Sequence, residues 1–385
     1  MEYFLSEEQK TLKSLARRIA EERILPVRAE LDEKEAFPWE IIRDLAKADM
    51  FRVFIPVEYE GLGGGCLDLC LVVEELSRVC SGVAVSYAAS ALGGFALLEY
   101  GSEEQKKKYL PDIAAGKKLT AFALTESTAG SDASAIKTTA EKVSGGYLLN
   151  GTKQFITNGG EAELYTVIAL TDKEKGARGA SAFIVEKDTP GFTFGKKEKK
   201  MGIRASSTRE LVFKNCLIPE GNLIGKEGLG FIMTMRILDR SRPGIAAQAV
   251  GLAQGALEAA VEYAKQRIQF GHPIFAQPVV QNMLADMAIQ VEAARALTYA
   301  TARMIDSGVR HFTEESAMVK VFASDVAMRV TIDAVQIFGG AGYMKGYPVE
   351  KMMRDAKITQ IYEGTNQVLR SAIAFELRKR KATRE

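Results

Sequence analysis

The chain has 385 residues, and its 51 Lys and Arg residues nearly balance 49 Asp and Glu residues, which leaves a formal net charge of +2. This balance argues against nucleic acid as the main partner, because phosphate binding needs a concentrated basic surface. We expect no membrane span, since no stretch approaches about 20 consecutive apolar residues. The acidic N-terminus resembles neither a signal nor a transit peptide. The sequence therefore predicts a cytoplasmic protein, or one whose targeting segment has been removed.

Cysteine and histidine usage excludes several kinds of catalytic site. The chain has four Cys and two His residues. Cys66 and Cys70 are close in sequence, but no second close pair completes a zinc site, so structural thiols are the better interpretation. Two histidines cannot form a multi-histidine metal centre, and no Gly-x-Ser-x-Gly segment accompanies either one. We expect no metal, and chemistry that comes from carboxylates, hydroxyls, backbone groups or a borrowed cofactor.

Hydrophobic periodicity divides the chain into a helical, a β and a second helical region. Helical patterns occupy residues 7–32, 38–50, 68–79 and 82–100. Segments rich in β-formers follow at 121–125, 147–149, 165–170, 180–186 and 210–213, and Asn150-Gly151 predicts a tight turn. Long helices return after Gly228. We therefore predict three domains, with bounds at 1–119, 120–226 and 227–385.

Apolar stripes at helical spacing mark the predicted core of the last domain. One stripe comprises Val319, Phe322, Val326, Val330, Ala334 and Ile337, and another comprises Leu284, Met287, Val291, Ala294 and Leu297. Such stripes are far more often bundle core than cofactor contacts. A bundle beside a small β domain leaves an interdomain cleft, which is a common place for a large flat cofactor.

The segment 124–132 is the first of three candidate functional motifs. It reads Leu-Thr-Glu-Ser-Thr-Ala-Gly-Ser-Asp directly after a predicted strand. Small residues and hydroxyls allow backbone N–H groups to approach an anion such as a pyrophosphate closely. On its own, the segment is also compatible with a plain turn.

The second motif, at 153–160, combines an aromatic ring with a hydroxyl. Phe155 and Thr157 are two residues apart on a predicted strand, so their side chains are expected on one face. That pair suits a flat ring with a hydrogen-bonding edge. A strand that ends in an Asn-Gly-Gly turn is an equally good interpretation in isolation.

The third motif, at 354–367, contains a carboxylate in apolar surroundings. Glu363 follows Ile361 and Tyr362 and precedes Gly364, just before a predicted helix start at Thr365. Partial desolvation of a carboxylate favours its neutral form and makes it a stronger base when ionised. A lone Glu is otherwise most often a surface residue.

Together the three motifs resemble the acyl-CoA dehydrogenase family of flavoproteins over essentially the whole chain. Four further segments, at 201–208, 239–243, 267–271 and 336–343, carry the same resemblance. The resemblance implies an α+β fold with an N-terminal helical bundle, a middle β domain and a C-terminal four-helix bundle. It also implies FAD as cofactor, an acyl-CoA substrate, an electron-transferring flavoprotein as partner, and a homotetramer built as a dimer of dimers.

Individual residues take roles from this resemblance. The flavin and its pyrophosphate are expected beside Phe122, Leu124, Thr125, Gly130 and Ser131. Phe155 and Thr157 match the pair against the isoalloxazine, with Phe155 where relatives often carry Trp. Residues matching contacts to the FAD of a neighbouring subunit are Arg267, Phe270, Gln336 and Gly340, and further FAD contacts match Thr365 and Gln367. Substrate contacts are expected from Ser131, Asp239, Arg242, Tyr362 and Gly364.

One position departs from the family pattern, and one group of residues has two equally good interpretations. Pro278 stands where relatives usually carry Gln, which puts one adenosine-side contact in doubt, although Gln277 is available beside it. Residues Tyr87, Ala88, Ala89 and Ala91 align with the acyl pocket. Close helix packing explains the same small residues equally well.

The implied reaction is oxidation of an acyl-CoA to the 2-enoyl-CoA, in which Glu363 abstracts the α-proton and flavin N5 takes the β-hydride. Some relatives carry the base on the helix that here contains Ser241, which cannot act as one. Alternatives are an enoyl-CoA reductase, action on an alicyclic or aromatic acyl-CoA, a desulfinase or a flavin oxidase. A helical binding scaffold without catalysis is the remote alternative.

Overall fold

A computed structural model describes residues 3–379. Six helices form the first third: α1 (Glu7–Ile19), α2 (Arg28–Glu33), α3 (Trp39–Lys47), α4 (Cys66–Val79), α5 (Ser81–Tyr100) and α6 (Glu103–Ala114). Helix α1 begins where expected, because the Ser6 hydroxyl accepts a hydrogen bond from the Gln9 backbone in a capping box. The helix predicted over 7–32 is interrupted, since a π-helical turn at Ala20–Ile24 separates α1 from α2.

Helix α5 lies at the centre of the N-terminal domain. By length and composition it is apolar enough to cross a bilayer, but 83% of its most apolar stretch is buried within the fold. A helix that is hydrophobic on all sides is typical of such a buried position. A Cβ at Gly93 would lie 2.4 Å from the Thr120 hydroxyl, so glycine permits the close contact between α5 and the first strand.

The middle domain is a mixed sheet. Its strands are β1 (Thr120–Ala123), β2 (Thr139–Val143), β3 (Gly146–Thr157), β4 (Leu164–Leu170), β5 (Ala180–Glu186), β6 (Phe192–Lys197), β7 (Thr208–Pro219) and β8 (Leu223–Ile224). The order is β6-β7-β3-β2-β4-β5-β8, and β1 pairs in parallel with β4. All five predicted strands are present, whereas β2, β6 and β8 were not predicted.

The tight turn predicted at Asn150-Gly151 is wrong. Both residues lie inside β3, where the pairing with β7 shifts register between Leu149 and Gly151. The Asn150 side chain accepts a hydrogen bond from the Asn215 backbone across this irregularity. Chain reversal occurs earlier, between β2 and β3, where Gly145 has a φ of 88°. An Asn-Gly pair therefore serves here as a bulge rather than as a hairpin turn.

The last domain is a bundle of long helices. Its elements are α7 (Gly230–Gln266), the short strands β9 (Ile268–Gln269) and β10 (His272–Pro273), α8 (Pro278–Asp306), α9 (Thr313–Phe338), α10 (Pro348–Thr359) and α11 (Asn366–Lys379). Helices α7 to α10 share one core, and α11 packs on α9. The two predicted stripes are buried except for Phe322 and Leu297, which are about two-fifths exposed.

A loop of the β domain is fixed to α10 next to the segment that carries Glu363. The Ile203 backbone donates to Asp355, and Arg354 donates to the Met201 carbonyl at 2.9 Å. Arg354 also pairs with Asp32 of α2 at 2.6 Å. A Cβ at Gly202 would lie 2.4 Å from the Arg354 carbonyl oxygen, so the packing requires glycine. All three domains therefore meet at this junction.

Candidate active site

Glu363 lies in the loop between α10 and α11, in an uncommon backbone conformation. Its φ is 53°, and that of Gly364 is 97°. Positive φ in a residue other than glycine is unfavourable and is typical of functional sites where neighbouring structure holds the chain in place. Part of that hold comes from Arg242 on α7, whose Nε donates to the Glu363 carbonyl at 3.2 Å.

The Glu363 carboxylate is held from α7 as well. The Ser241 hydroxyl donates to Oε2 of Glu363 at 2.5 Å. Burial raises the pKa of Glu363 above its usual value, while the Ser241 hydrogen bond and the charges of Arg242 and Lys320 oppose that rise. A desolvated carboxylate with few fixed partners is chemically suited to accept a proton from a weak carbon acid.

Arg242 belongs to a second pair beside Glu363. Its guanidinium contacts Asp239 at 2.5 Å, and Asp239 also accepts from the Thr313 hydroxyl at 2.6 Å. Burial raises the pKa of Asp239, although Arg242 and Thr313 oppose the rise. The structure thus brings together Asp239, Arg242 and Glu363, which were predicted from segments far apart in sequence.

Lys320 was not predicted as part of this site. It is fully buried on α9, and its Nζ donates to the Gly364 carbonyl at 2.8 Å and to Asn366 Oδ1 at 3.0 Å. The available signal was a single lysine within the otherwise apolar run Ala317–Ala323. Such a cation is rarely buried unless it has polar partners.

Tyr362 connects the same loop to α5. Its hydroxyl hydrogen-bonds the Gln248 side chain, and Gln248 donates to the Ser81 hydroxyl at 2.7 Å. Of the residues aligned with an acyl pocket, Tyr87 is fully buried, and its hydroxyl donates to the Met50 carbonyl at 2.8 Å. This placement favours the packing interpretation for Tyr87.

The aromatic and hydroxyl pair of the second motif lies on β3 at a bulge. The β3–β7 register shifts between Lys153 and Ile156, and Phe155 has a φ of 59°. The bulge directs Phe155 outward with 57% of its surface exposed, while Lys153, two residues earlier, is buried. A β-bulge re-aims a side chain in this way. The exposed ring beside Thr157 offers a flat apolar surface that fits a planar cofactor.

The 124–132 loop is fixed beside this pair by a buried lysine. Lys153 Nζ donates to the Leu124 carbonyl at 2.9 Å and pairs with Glu126 at 2.7 Å. The Gln154 backbone donates to the Thr125 carbonyl at 2.8 Å. Further along, Gly130 and Ser131 are exposed, and a Cβ at Gly130 would meet open space. The loop therefore leaves room for the diphosphate of a nucleotide cofactor next to Phe155.

Sequence models of three successive domains match this chain. The N-terminal domain of the acyl-CoA dehydrogenases matches residues 6–117, the middle domain residues 121–216, and the C-terminal domain residues 228–377. The chain belongs to the acyl-CoA dehydrogenase family. Members of this family are flavoprotein oxidoreductases that use FAD, and the α+β fold predicted from the sequence is confirmed.

Two curated relatives illustrate the range of named activities among similar acyl-CoA dehydrogenase sequences. An acyl-CoA dehydrogenase of Bacillus subtilis is 48% identical over 371 residues, which covers 96% of this chain and 98% of the relative. An acryloyl-CoA reductase (NADH) of Anaerotignum propionicum is also 48% identical, covering 99% of this chain and 97% of the relative. Similarity at this level therefore includes both a dehydrogenase and a reductase.

Two solved structures superpose closely on this fold. A butyryl-CoA dehydrogenase from Megasphaera elsdenii has a TM-score of 0.96 at 47% identity, covering 98% of this chain and all of that one. A chain from a study of the electron transferring flavoprotein of Acidaminococcus fermentans has a TM-score of 0.97 at 49% identity, covering 99% and 100%.

The remaining predicted cofactor residues lie at other places on the fold. Arg267 and Phe270 follow the C-terminal end of α7, and Gln336 and Gly340 lie at the C-terminal end of α9. All four are exposed, and Phe270 is 89% exposed. Phe122 and Leu124 are partly buried at the end of β1, and Thr365 and Gln367 flank the start of α11.

The departure at Pro278 has a structural explanation. Pro278 is the first residue of α8, and Gln277 is its N-cap. Proline is favoured at this position because it lacks an N–H that the helix would leave unsatisfied. Proline thus fits the start of α8, and the Gln277 side chain stays adjacent to it.

Proposed function

We propose that this protein catalyses the FAD-dependent α,β-dehydrogenation of a short acyl-CoA thioester to the 2-enoyl-CoA, with Glu363 as the catalytic base. The observation that carries the proposal is the environment of Glu363. Its carboxylate is desolvated, yet it is held at a fixed position by Ser241 and in a loop anchored by Arg242. The short acyl chain is supported by the close likeness to a butyryl-CoA dehydrogenase.

FAD would be held mainly by the β domain in this proposal. Phe155 and Thr157 would contact the flavin ring, and the loop from Leu124 to Ser131 would hold the diphosphate. When bound, the flavin supplies the acceptor for the β-hydrogen of the acyl chain. Arg267, Phe270, Gln336 and Gly340 would reach the FAD of a neighbouring subunit, within the homotetramer that the proposal includes. Thr365 and Gln367 would add contacts near the base.

The chain's own residues would orient the thioester and remove its α-proton. The backbone N–H of Glu363 is proposed to donate to the thioester carbonyl, where negative charge develops as the proton leaves. Ser131, Asp239, Arg242, Tyr362 and Gly364 would contact the substrate. Holding the α-carbon against a fixed carboxylate can lower such a barrier by about 7–11 kcal/mol.

A second candidate function is reduction of an enoyl-CoA, because the acryloyl-CoA reductase is as similar to this chain as the Bacillus dehydrogenase is. The same base would then act as the acid that protonates the α-carbon. The two directions are distinguished by the electron partner. The proposal includes an electron-transferring flavoprotein as that partner, and a cytoplasmic location.

The test is anaerobic titration of the purified protein with straight-chain acyl-CoA esters of increasing length. We expect a yellow protein whose visible flavin band bleaches most rapidly with short chains. Glu363→Gln is expected to keep the flavin and lose at least about a hundredfold in rate, the lower range for one general base. The control is Glu262→Gln, an exposed carboxylate on α7.

Any of three results would contradict the proposal. A colourless protein that does not take up FAD would exclude flavin chemistry. Near wild-type turnover in Glu363→Gln would show that another group removes the proton. Fast reduction of an enoyl-CoA without bleaching by any acyl-CoA would favour the reductase instead.

A further inference from the structure

The loop that carries Glu363 is held from both sides by buried polar groups. From α7, Arg242 donates to the Glu363 carbonyl. From α9, Lys320 donates to the carbonyl of the next residue, Gly364, at 2.8 Å. Two consecutive carbonyl groups are thus each bound by a cation from a different helix. Both belong to residues with positive φ, so these contacts hold the backbone where it is least favourable by itself.

One turn after Lys320, further residues of α9 also hydrogen-bond the ends of the loop. Asn366 donates to the Ser324 hydroxyl at 2.9 Å and to Asp325 at 2.8 Å. Gln360, at the other end of the loop, also donates to Asp325, at 2.6 Å. Lys320 is the member of this set whose contact lies directly beside the base.

We propose that Lys320 is a positioning residue for the base Glu363, which fixes the Gly364 carbonyl and provides a positive charge that keeps the carboxylate ionised. The inference rests on the proposed function, since it requires Glu363 to act as the base. Lys320 itself contacts the loop backbone and Asn366, and the proposal assigns it no contact with the substrate.

The positive charge of Lys320, and not only its hydrogen bonds, contributes to the proposed effect on Glu363. A neutral side-chain amide could donate to the Gly364 carbonyl, whereas a fully buried ammonium is costly. Burial lowers the pKa of Lys320 to about 7, with Glu363 opposing that effect. Lys320 is therefore charged on the acidic side of neutrality, and its charge there favours the ionised form of the Glu363 carboxylate.

Other charged groups face Glu363 and set the background for this effect. On α7 they are Arg242 and its partner Asp239, and on α9 Asp325 lies further along the loop. Within the loop, Tyr362 is neutral because burial raises its pKa far above the working range. Arg242 and Asp239 form an ion pair at 2.5 Å. Substitution of Lys320 therefore removes one cation near Glu363 and leaves the Arg242–Asp239 pair intact, so it tests the proposal.

The experiment compares three substitutions of Lys320 in the FAD-loaded enzyme, with the pH profile of kcat/KM as the main readout. Lys320→Met removes hydrogen bond and charge, Lys320→Gln removes only the charge, and Lys320→Arg keeps both. The matched control is Ser324→Ala, which loses a buried contact to Asn366 on the same face of α9. Glu363→Gln is measured in parallel.

In Lys320→Gln we expect the acidic limb of the profile to move up by about 1 pH unit, the lower range for one nearby opposite charge. Lys320→Met should show the same shift and lose about tenfold or more in kcat with little change in KM, because loop position affects the chemical step. Lys320→Arg and Ser324→Ala should keep the wild-type limb. If Lys320→Met does not fold, the Gln and Arg variants still decide the matter.

The two proposals fail in different ways. An unchanged acidic limb in Lys320→Gln, with Glu363→Gln inactive, overturns the role of Lys320 and leaves the base assignment standing. An equal shift in Ser324→Ala also overturns it, because loop packing alone would then explain the effect. High activity in Glu363→Gln overturns both proposals.

Discussion

The hydroxyl of Ser241 lies 2.5 Å from a carboxylate oxygen of Glu363, across 122 positions of sequence. Ser241 is on α7, and Glu363 is in the loop before α11. The serine lies within the segment 239–243, which also contains Asp239 and Arg242. This segment of α7 therefore supplies a hydrogen-bond donor to the proposed base.

Ser241→Ala is expected to raise the pKa of Glu363 further. The hydrogen bond from Ser241 favours the ionised carboxylate, so its loss favours the protonated form. The acidic limb of the kcat/KM profile should move to higher pH by about 1 unit, since a hydrogen bond to a charged group contributes about 1.5 kcal/mol or more. Ser77→Ala, a buried serine on α4 that donates to the Gln248 carbonyl, is the control. A limb at its original pH would show that Ser241 does not stabilise the ionised base.

Glu363→Gln is expected to stabilise the protein at neutral pH while it abolishes the reaction. The pKa of Glu363 is raised in the folded state, so its contribution to stability is complete below the unfolded pKa and is lost as pH rises through the folded pKa. Glutamine avoids that loss. The difference in melting temperature between the variant and wild type should therefore be larger at pH 8 than at pH 4.5. A constant difference would contradict a raised pKa.

The site residues that were predicted from sequence lie within short, contiguous sequence motifs. Glu363, Asp239 and Arg242 occur within recognisable local patterns, and the structure brings them together. Ser241 lies in the same segment as Asp239 and Arg242, but its hydrogen bond to Glu363 across 122 positions was not predicted, and neither was that of Lys320 to Gly364 across 44 positions. Neither residue type signals such a contact by itself. A lysine in a helix is usually exposed, so only the assembled bundle shows that Lys320 is buried beside the base.

The long helices of the fold were predicted from sequence, whereas some of its short strands were missed. Apolar periodicity identifies long helices because each one buries a whole face, as α9 does with Val319, Val326 and Val330. The same periodicity wrongly places Phe322 in the buried stripe, because this residue is on the exposed side of α9. The short strand β6 was missed because only one of its residues, Phe192, is fully buried. Alternation over so few residues gives a weak signal.

Lys153→Met is expected to loosen the 124–132 loop and to destabilise the protein. Burial lowers the pKa of Lys153 to about 8, and its ion pair and hydrogen bonds hold the pKa of Glu126 below the usual value despite burial. Removing one partner of a buried pair leaves the other charge uncompensated and costs about 3–5 kcal/mol. Denaturant unfolding of the FAD-free protein measures this loss directly. Lys142→Met, an exposed lysine on β2, is the control.

The double variant Lys153→Met with Glu126→Gln separates charge from packing. If the penalty is mainly an unpaired buried charge, the double variant should be more stable than Lys153→Met alone. The backbone N–H groups of Lys137 and Thr138 donate to different oxygens of Glu126, so a glutamine keeps an acceptor for one of them and some of the penalty remains. A double variant as unstable as the sum of the two single variants would show that the ion pair itself is not the cause.

Phe155→Ala is expected to weaken FAD binding, whereas Phe155→Trp is expected to keep it. The ring is 57% exposed at the β3 bulge, so its removal leaves little cavity and should change protein stability only slightly. Loss of one aromatic stacking partner corresponds to about a tenfold weaker affinity, and the larger indole restores the flat surface. Titration of flavin-free protein, followed by quenching of flavin fluorescence, measures the affinity without turnover. Leu217→Ala, an exposed apolar residue on β7, is the control, and equal affinities for Phe155→Ala and wild type would place the flavin elsewhere.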